Sequence, residues 1–303
     1  MNRNRSLVGR GTFHGLAIVG LLGVMVGGLT ACREAGGGES LSAGEVGQRQ
    51  PPPPPIPDLQ PLLTRLQTYD GAQDLTAEMR LTAIREGKPP EQIDLRLQRR
   101  QDATEKRTFL QVLAPPEDRN KILLATERAD EPTVALSYLA GLRRLARLSS
   151  NRQLTFRDAK VTVQELLGME LSGYQPGTAE RGVEDGISRL RLPLTEIPDR
   201  GLAFPRIDVL IDEATLQPVR FDLFDAVGTL QKRIEVEEIR TIQSRQTMTR
   251  LSIDDPGQQL RLRLEIRRVE YDRGLPESAF SEDRLRQVTT EAGRLIDARG
   301  VAQ

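Results

Sequence analysis

Few side chains in this sequence of 303 residues are equipped for chemistry, and they cluster at one end. Cys32 is the sole cysteine and His14 the sole histidine. A thiol can be acylated, can bind a metal as thiolate, or can act as a nucleophile. Which of these Cys32 does is decided by its setting. It ends the stretch Leu29-Thr30-Ala31-Cys32, which follows an apolar, Gly-rich run from Leu16 to Val26. Arg3, Arg5 and Arg10 precede that run. A basic start, an apolar stretch short for a bilayer span and a small residue before the cysteine make an export signal.

Leu-Thr-Ala-Cys resembles the lipobox of bacterial lipoproteins. The resemblance implies cleavage before Cys32, diacylation of its sulfur and acylation of the new N-terminus. The plainer reading is a soluble signal or an uncleaved anchor with Cys32 incidental. Arg33 follows the cysteine where an aspartate would mark inner-membrane retention. By the enterobacterial sorting rule this implies an anchor in the outer membrane, facing the periplasm.

Removing residues 1–31 takes away three arginines, His14 and no acid, leaving 40 basic side chains against 43 acidic ones. That balance gives no reason to propose a nucleic-acid partner. With no histidine and an acylated cysteine, the remaining chain has neither group for a metal site, a triad or a thiol nucleophile. No metal, cofactor or catalytic residue is expected, although a carboxylate-only hydrolase is not excluded by composition.

Residues 32–57 read as a tether: Gly and Ser first, then the run Pro51 to Pro55, a stiff extended spacer. Residues 58–303 are long enough for one domain with a core. The domain opens with a helix from Pro57 to Tyr69, where Leu59, Leu62, Leu63 and Leu66 share one face and Asp58 is placed to cap it. The period then changes to two. Leu75 to Ala83 and Ile93 to Gln98 alternate cleanly, separated by a turn holding Pro89-Pro90. Further strands are expected at 107–113, 121–126, 133–139, 187–192, 206–211, 219–224, 230–239, 247–253 and 260–271. In the last, Arg267-Arg268 breaks the alternation as a β-bulge would. A second helix is expected from Ser281 to Ala298.

About eleven strands with few helices predict a mainly β fold built on one large antiparallel sheet, which must curl or close. Each strand's polar face is expected to meet water.

Several segments, in order, resemble the LolA-like family of outer membrane lipoprotein-sorting proteins. Tyr138-Leu139-Ala140-Gly141-Leu142-Arg143-Arg144-Leu145-Ala146-Arg147-Leu148 resembles the family's Tyr-Leu-Pro segment and the basic-apolar strand after it, with Arg152 and Phe156 following. Phe109 to Pro116 with Lys121 to Leu124, Asp212 to Phe221, Asp225 to Leu230, and Leu275-Pro276 with Phe280 match further family segments. Ala140 stands where the family has proline, and the loop after Phe156 departs from the family's usual run.

The resemblance implies a half-open, curved antiparallel β-barrel with covering helices and an apolar cavity for acyl chains. On that reading Met79, Leu81, Leu95, Leu97, Leu262 and Leu264 face the interior. They are either ordinary core or the lining of an acyl pocket. Arg143, Arg144, Arg147 and Arg152 are either a basic patch for lipid phosphate or a partner protein, or a solvated strand face. Two functions follow as expectations. One is a tethered carrier or acceptor of lipids or lipoproteins. The other is a non-enzymatic adaptor in an envelope complex, such as an RND-type lipid exporter, its barrel filled by its own side chains.

Overall fold

The computed structural model describes residues 54–300, apart from 69–70, 120, 129–130, 140–141, 143, 150–151, 157–158, 164–170, 199 and 201. The expected export signal, Cys32 and most of the expected tether lie outside the described residues. A short helix, α1 (Gln60–Thr68), comes first, and the Asp58 carboxylate accepts the Gln60 N–H at 2.9 Å. A longer one, α2 (Glu282–Gly300), comes last. Between them run β1 (Asp74–Ile84), β2 (Glu91–Gln101), β3 (Glu105–Ala114), β4 (Ile122–Arg128), β5 (Glu131–Leu139) and β6 (Arg144–Leu148). Then come β7 (Gln153–Phe156), β8 (Ala159–Thr162), β9 (Tyr174–Pro176), β10 (Glu180–Glu184) and β11 (Ile187–Glu196). The last strands are β12 (Arg206–Asp212), β13 (Gln217–Phe224), β14 (Leu230–Ile242), β15 (Arg245–Asp255) and β16 (Leu260–Tyr271).

All eleven strands expected from alternation are present. The additional strands, β6 to β10, have five residues or fewer, too few for a period of two to stand out. Fourteen strands form one sheet in the order β10-β11-β12-β13-β14-β15-β16-β1-β2-β3-β4-β5-β6, with β9 beside β10 on the outer edge of β11. Every pairing is antiparallel, and β16 joins β1 to close the chain's two halves into a single surface. Among the described residues no ladder joins β6 to β9 or β10, so the sheet is curved and open, not a closed barrel. The β7–β8 hairpin stands apart as its own small sheet.

The break at Arg267 is the expected bulge. Glu78 pairs with Arg268 and Met79 with Ile266, leaving Arg267 unopposed. That extra residue restores inward parity to Val269 and Tyr271 and strengthens the local bend.

The concave face holds the main core, which runs without interruption from β11 to β4. The convex face differs from expectation in one region. Over β3 to β5 it is dry: Phe109, Ile122 and Leu124 are buried under Ala279, Phe280 and Leu285. The apolar run Ile122-Leu123-Leu124 therefore serves both faces, as strands covered on both sides do. Asp74 ties this cover down. Its carboxylate accepts the N–H groups of Arg273, Gly274 and Leu275 at 2.9, 2.8 and 3.1 Å, orienting the chain as it leaves β16 for α2.

Candidate functional site

The five inward leucines and Met79 meet as neighbours. Met79 stands opposite Leu95 on one side and Ile266 on the other, and Leu81 stands between Ile93 and Leu264. Leu97 faces Ala77 and Leu110. Leu262 faces Ile253 and Ala83, and Leu264 faces Leu251. Alternation puts each on the concave side, and all six are buried, none more than 4% exposed. Phe221, Val209 and Leu192 extend the same band toward the sheet's far edge.

Helix α1 completes this face. Its leucines, Leu62, Leu63 and Leu66, together with Leu59 just before it, are buried in the same apolar cluster. Leu171 and Tyr174 join them, and the Tyr174 hydroxyl donates to the Phe204 carbonyl at 2.7 Å. The cover is thus a nine-residue helix with the chain around Leu171 and Tyr174, laid on the apolar face of the sheet.

Charge enters the concave face at two places, which the sequence reading did not single out. At one end Arg99 follows Leu95 and Leu97 in inward parity and is itself buried. Its Nε donates to Thr108 Oγ1 at 3.0 Å. Nearby, the hydroxyls of Thr247 and Tyr271 lie 2.9 Å apart, and the Arg245 guanidinium sits 5.3 Å from the Tyr271 ring centre. Lys106 Nζ meets Glu127 at 2.6 Å. At the other end Lys232 Nζ lies 3.3 Å from Asp255, both side chains 1% exposed. The Phe204 ring is 5.7 Å from that ammonium. Burial pushes the Lys232 ammonium down to about 7, against the pull of Asp255, which favours the charged form. Asp255 also accepts from the Gln258 backbone at 2.9 Å and its side chain at 2.7 Å. The signal for both places was available: a charged residue at an inward position of an alternating strand.

The arginine group is divided by the structure. Arg143 lies outside the described residues, while Arg144, Arg147 and Arg152 are exposed. In β6, Leu145 packs beneath α2 on the convex side, and Leu148 packs on the concave core. Arg147 shares the side of Leu145 and Arg144 the side of Leu148, so the two point to opposite faces. Arg152 sits in the following turn, where its N–H donates to the Ser149 carbonyl at 3.0 Å.

An open antiparallel sheet with an apolar concave face, covered by a short leucine-striped helix, defines a protein of the LolA-like fold. Solved structures share it. A DUF1329 family protein from Desulfovibrio piger superposes with a TM-score of 0.66 at 18% identity, over 74% of this chain and 96% of its own. A putative outer membrane lipoprotein-sorting protein domain from Vibrio parahaemolyticus gives 0.62 at 17% identity, over 70% and 91%. A LolA superfamily protein from Nitrosomonas europaea gives 0.58 at 16% identity, over 70% and 92%. No curated protein matches the sequence. A family model described as "Uncharacterized protein" matches residues 104–287, more than half of the chain, and the chain belongs to that family.

Proposed function

We propose that this protein is a membrane-tethered carrier or acceptor that takes acyl chains of lipids or lipoproteins onto its concave face. It works by apolar burial, without covalent chemistry. The observation that carries this reading is the apolar band and its light cover. Fully burying one leucine is worth about 1.5–3 kcal/mol, so Leu59 and the three leucines of α1 hold the cover with roughly 6–12 kcal/mol. An acyl chain of about sixteen carbons gains ~0.8 kcal/mol per buried CH₂, or roughly 12 kcal/mol. The two are matched, so a chain can replace α1 on the band and be released again. Domain limits at 31 and 57, an acylated Cys32 and an outer-membrane anchor facing the periplasm complete the proposal.

A second reading has its own support. The six band residues pack on one another and leave almost no exposed surface, as in an adaptor whose core is complete without ligand.

Native mass spectrometry with lipid extraction, on the full chain made in a bacterial envelope, separates the two. A defined co-purifying lipid supports the carrier. A clean apo mass, with no uptake of added phospholipid, supports the adaptor. Cys32→Ser should abolish acyl labelling and membrane attachment, and retention of both defeats the tether.

A further inference from the structure

Arginine in this protein is nearly always engaged. Arg80, Arg96, Arg206, Arg233 and Arg261 each meet a carboxylate, and Arg100 and Arg119 donate to carbonyls. Among the described residues, the guanidinium groups of Arg144, Arg147 and Arg152 have no such partner, nor does that of Arg85 in the β1–β2 loop. Three of these exceptions fall within nine residues, on and just beyond β6.

Strand β6 is also where the sheet ends. It pairs with β5 on one side, from Ala135 opposite Leu148 to Leu139 opposite Arg144. Among the described residues no further backbone bond reaches its other side. A strand of this kind offers a row of N–H and C=O groups to another chain. Leu142, 63% exposed, adds an apolar contact where the strand begins. The opposite edge of the sheet is different. There Arg181 is bound to Glu213 and also donates to the Pro54 carbonyl at 2.8 Å, so the tether runs against that edge.

We propose that the free edge of β6 is a docking site for an acidic, extended protein segment. The segment adds as a further strand and places carboxylates against Arg144 and Arg147. Main-chain bonds supply part of the affinity and the arginines supply the selectivity. A lipid surface fits these residues less well. Arg144 and Arg147 point to opposite faces of the sheet, so no plane gathers both. A strand laid along β6 presents side chains to both faces, and the residues opposite these arginines are three apart. A partner segment therefore carries acidic residues at i and i+3. Nothing here depends on lipid uptake by the concave face.

The test uses the full chain in detergent, stripped of lipid or loaded with it. The probe is a synthetic peptide of about nine residues, a repeat of Thr-Glu-Val with blocked ends. The expected result is saturable binding that weakens with salt, with slowed amide exchange across residues 144–148. The double variant Arg144→Glu/Arg147→Glu should bind at least about tenfold more weakly. A proline at the peptide's centre should abolish binding. Both arginines are exposed, and a Gln/Gln pair replaces the Glu/Glu pair if the latter melts early. The inference is overturned if no saturable binding occurs below about 1 mM, or if the variants bind as the parent does. It is equally overturned if phosphatidylglycerol vesicles bind through these arginines while the 144–148 amides exchange at their free rate.

Discussion

On the convex face Arg80 stands directly opposite Asp94, and Arg261 opposite Asp254, each joined by a pair of hydrogen bonds between 2.6 and 2.9 Å. On the concave face Lys232 meets Asp255 at 3.3 Å with no water-exposed surface to speak of. These pairs use the same chemistry in different media. In water the attraction is screened, and both partners were well solvated before pairing, so an exposed pair adds about 0–1 kcal/mol. In the interior, desolvation costs several kcal/mol per ion, and removing one partner leaves a charge stranded. The convex pairs set register and solubility at little thermodynamic weight. The concave pair is a stress point that the fold tolerates only while complete.

The comparison can be broken most sharply at Asp255. Asp255→Ala removes the buried carboxylate that favours the charged form of Lys232 and should destabilise the protein by about 3–5 kcal/mol in urea unfolding below pH 7. An effect below about 1 kcal/mol would mean that the pair is solvated and the two faces are alike.

Leu97→Ala opens a hole between Ala77, Leu110 and the concave cluster, for a loss of roughly 2–5 kcal/mol. Added phospholipid should recover part of that loss if the band accepts acyl chains, which thermal melting with and without lipid would read.

pH sharpens the contrast further. Burial depresses the folded-state Lys232 pKa to about 7 from the ordinary lysine value of 10.5, so the unfolded chain takes up the proton first as pH falls. Stability from this group is therefore present at high pH, falls between roughly 10.5 and 7, and is flat below that. From pH 7 to 9.5 the parent should gain up to about 3 kcal/mol relative to Lys232→Met. Equal pH slopes in the two proteins would rule out a buried titrating lysine.

The smallest effect belongs to the convex face. Arg261→Ala should change stability by less than about 1 kcal/mol, and less again at high salt. A loss of several kcal/mol would show that the outer ion pairs act as a cooperative network.

Much of the fold was legible in the chain. The eleven longer strands, both helices, the Asp58 cap and the bulge at Arg267 all follow from neighbours a few residues apart. The inward set of Met79, Leu81, Leu95, Leu97, Leu262 and Leu264 was equally plain. Alternation cannot say what lies on the far side of a side chain, so the roles of that set were not legible. The run Ile122-Leu123-Leu124 has no period of two because both its faces are dry, and α2, more than 150 residues later in sequence, makes one of them so.

The same division holds for charge. Spacing placed Arg261 and Arg263 on a polar strand face, and it left Arg99 and Lys232 without an inward assignment. Pairing across the sheet decided the rest. Lys232 met Asp255, Asp74 captured the turn after β16, and β6 was left as the last strand with Arg144 and Arg147 unmatched. Secondary structure is set by contacts local in sequence. Whether a charge is solvated, paired or stranded depends on residues brought close only when the sheet assembles.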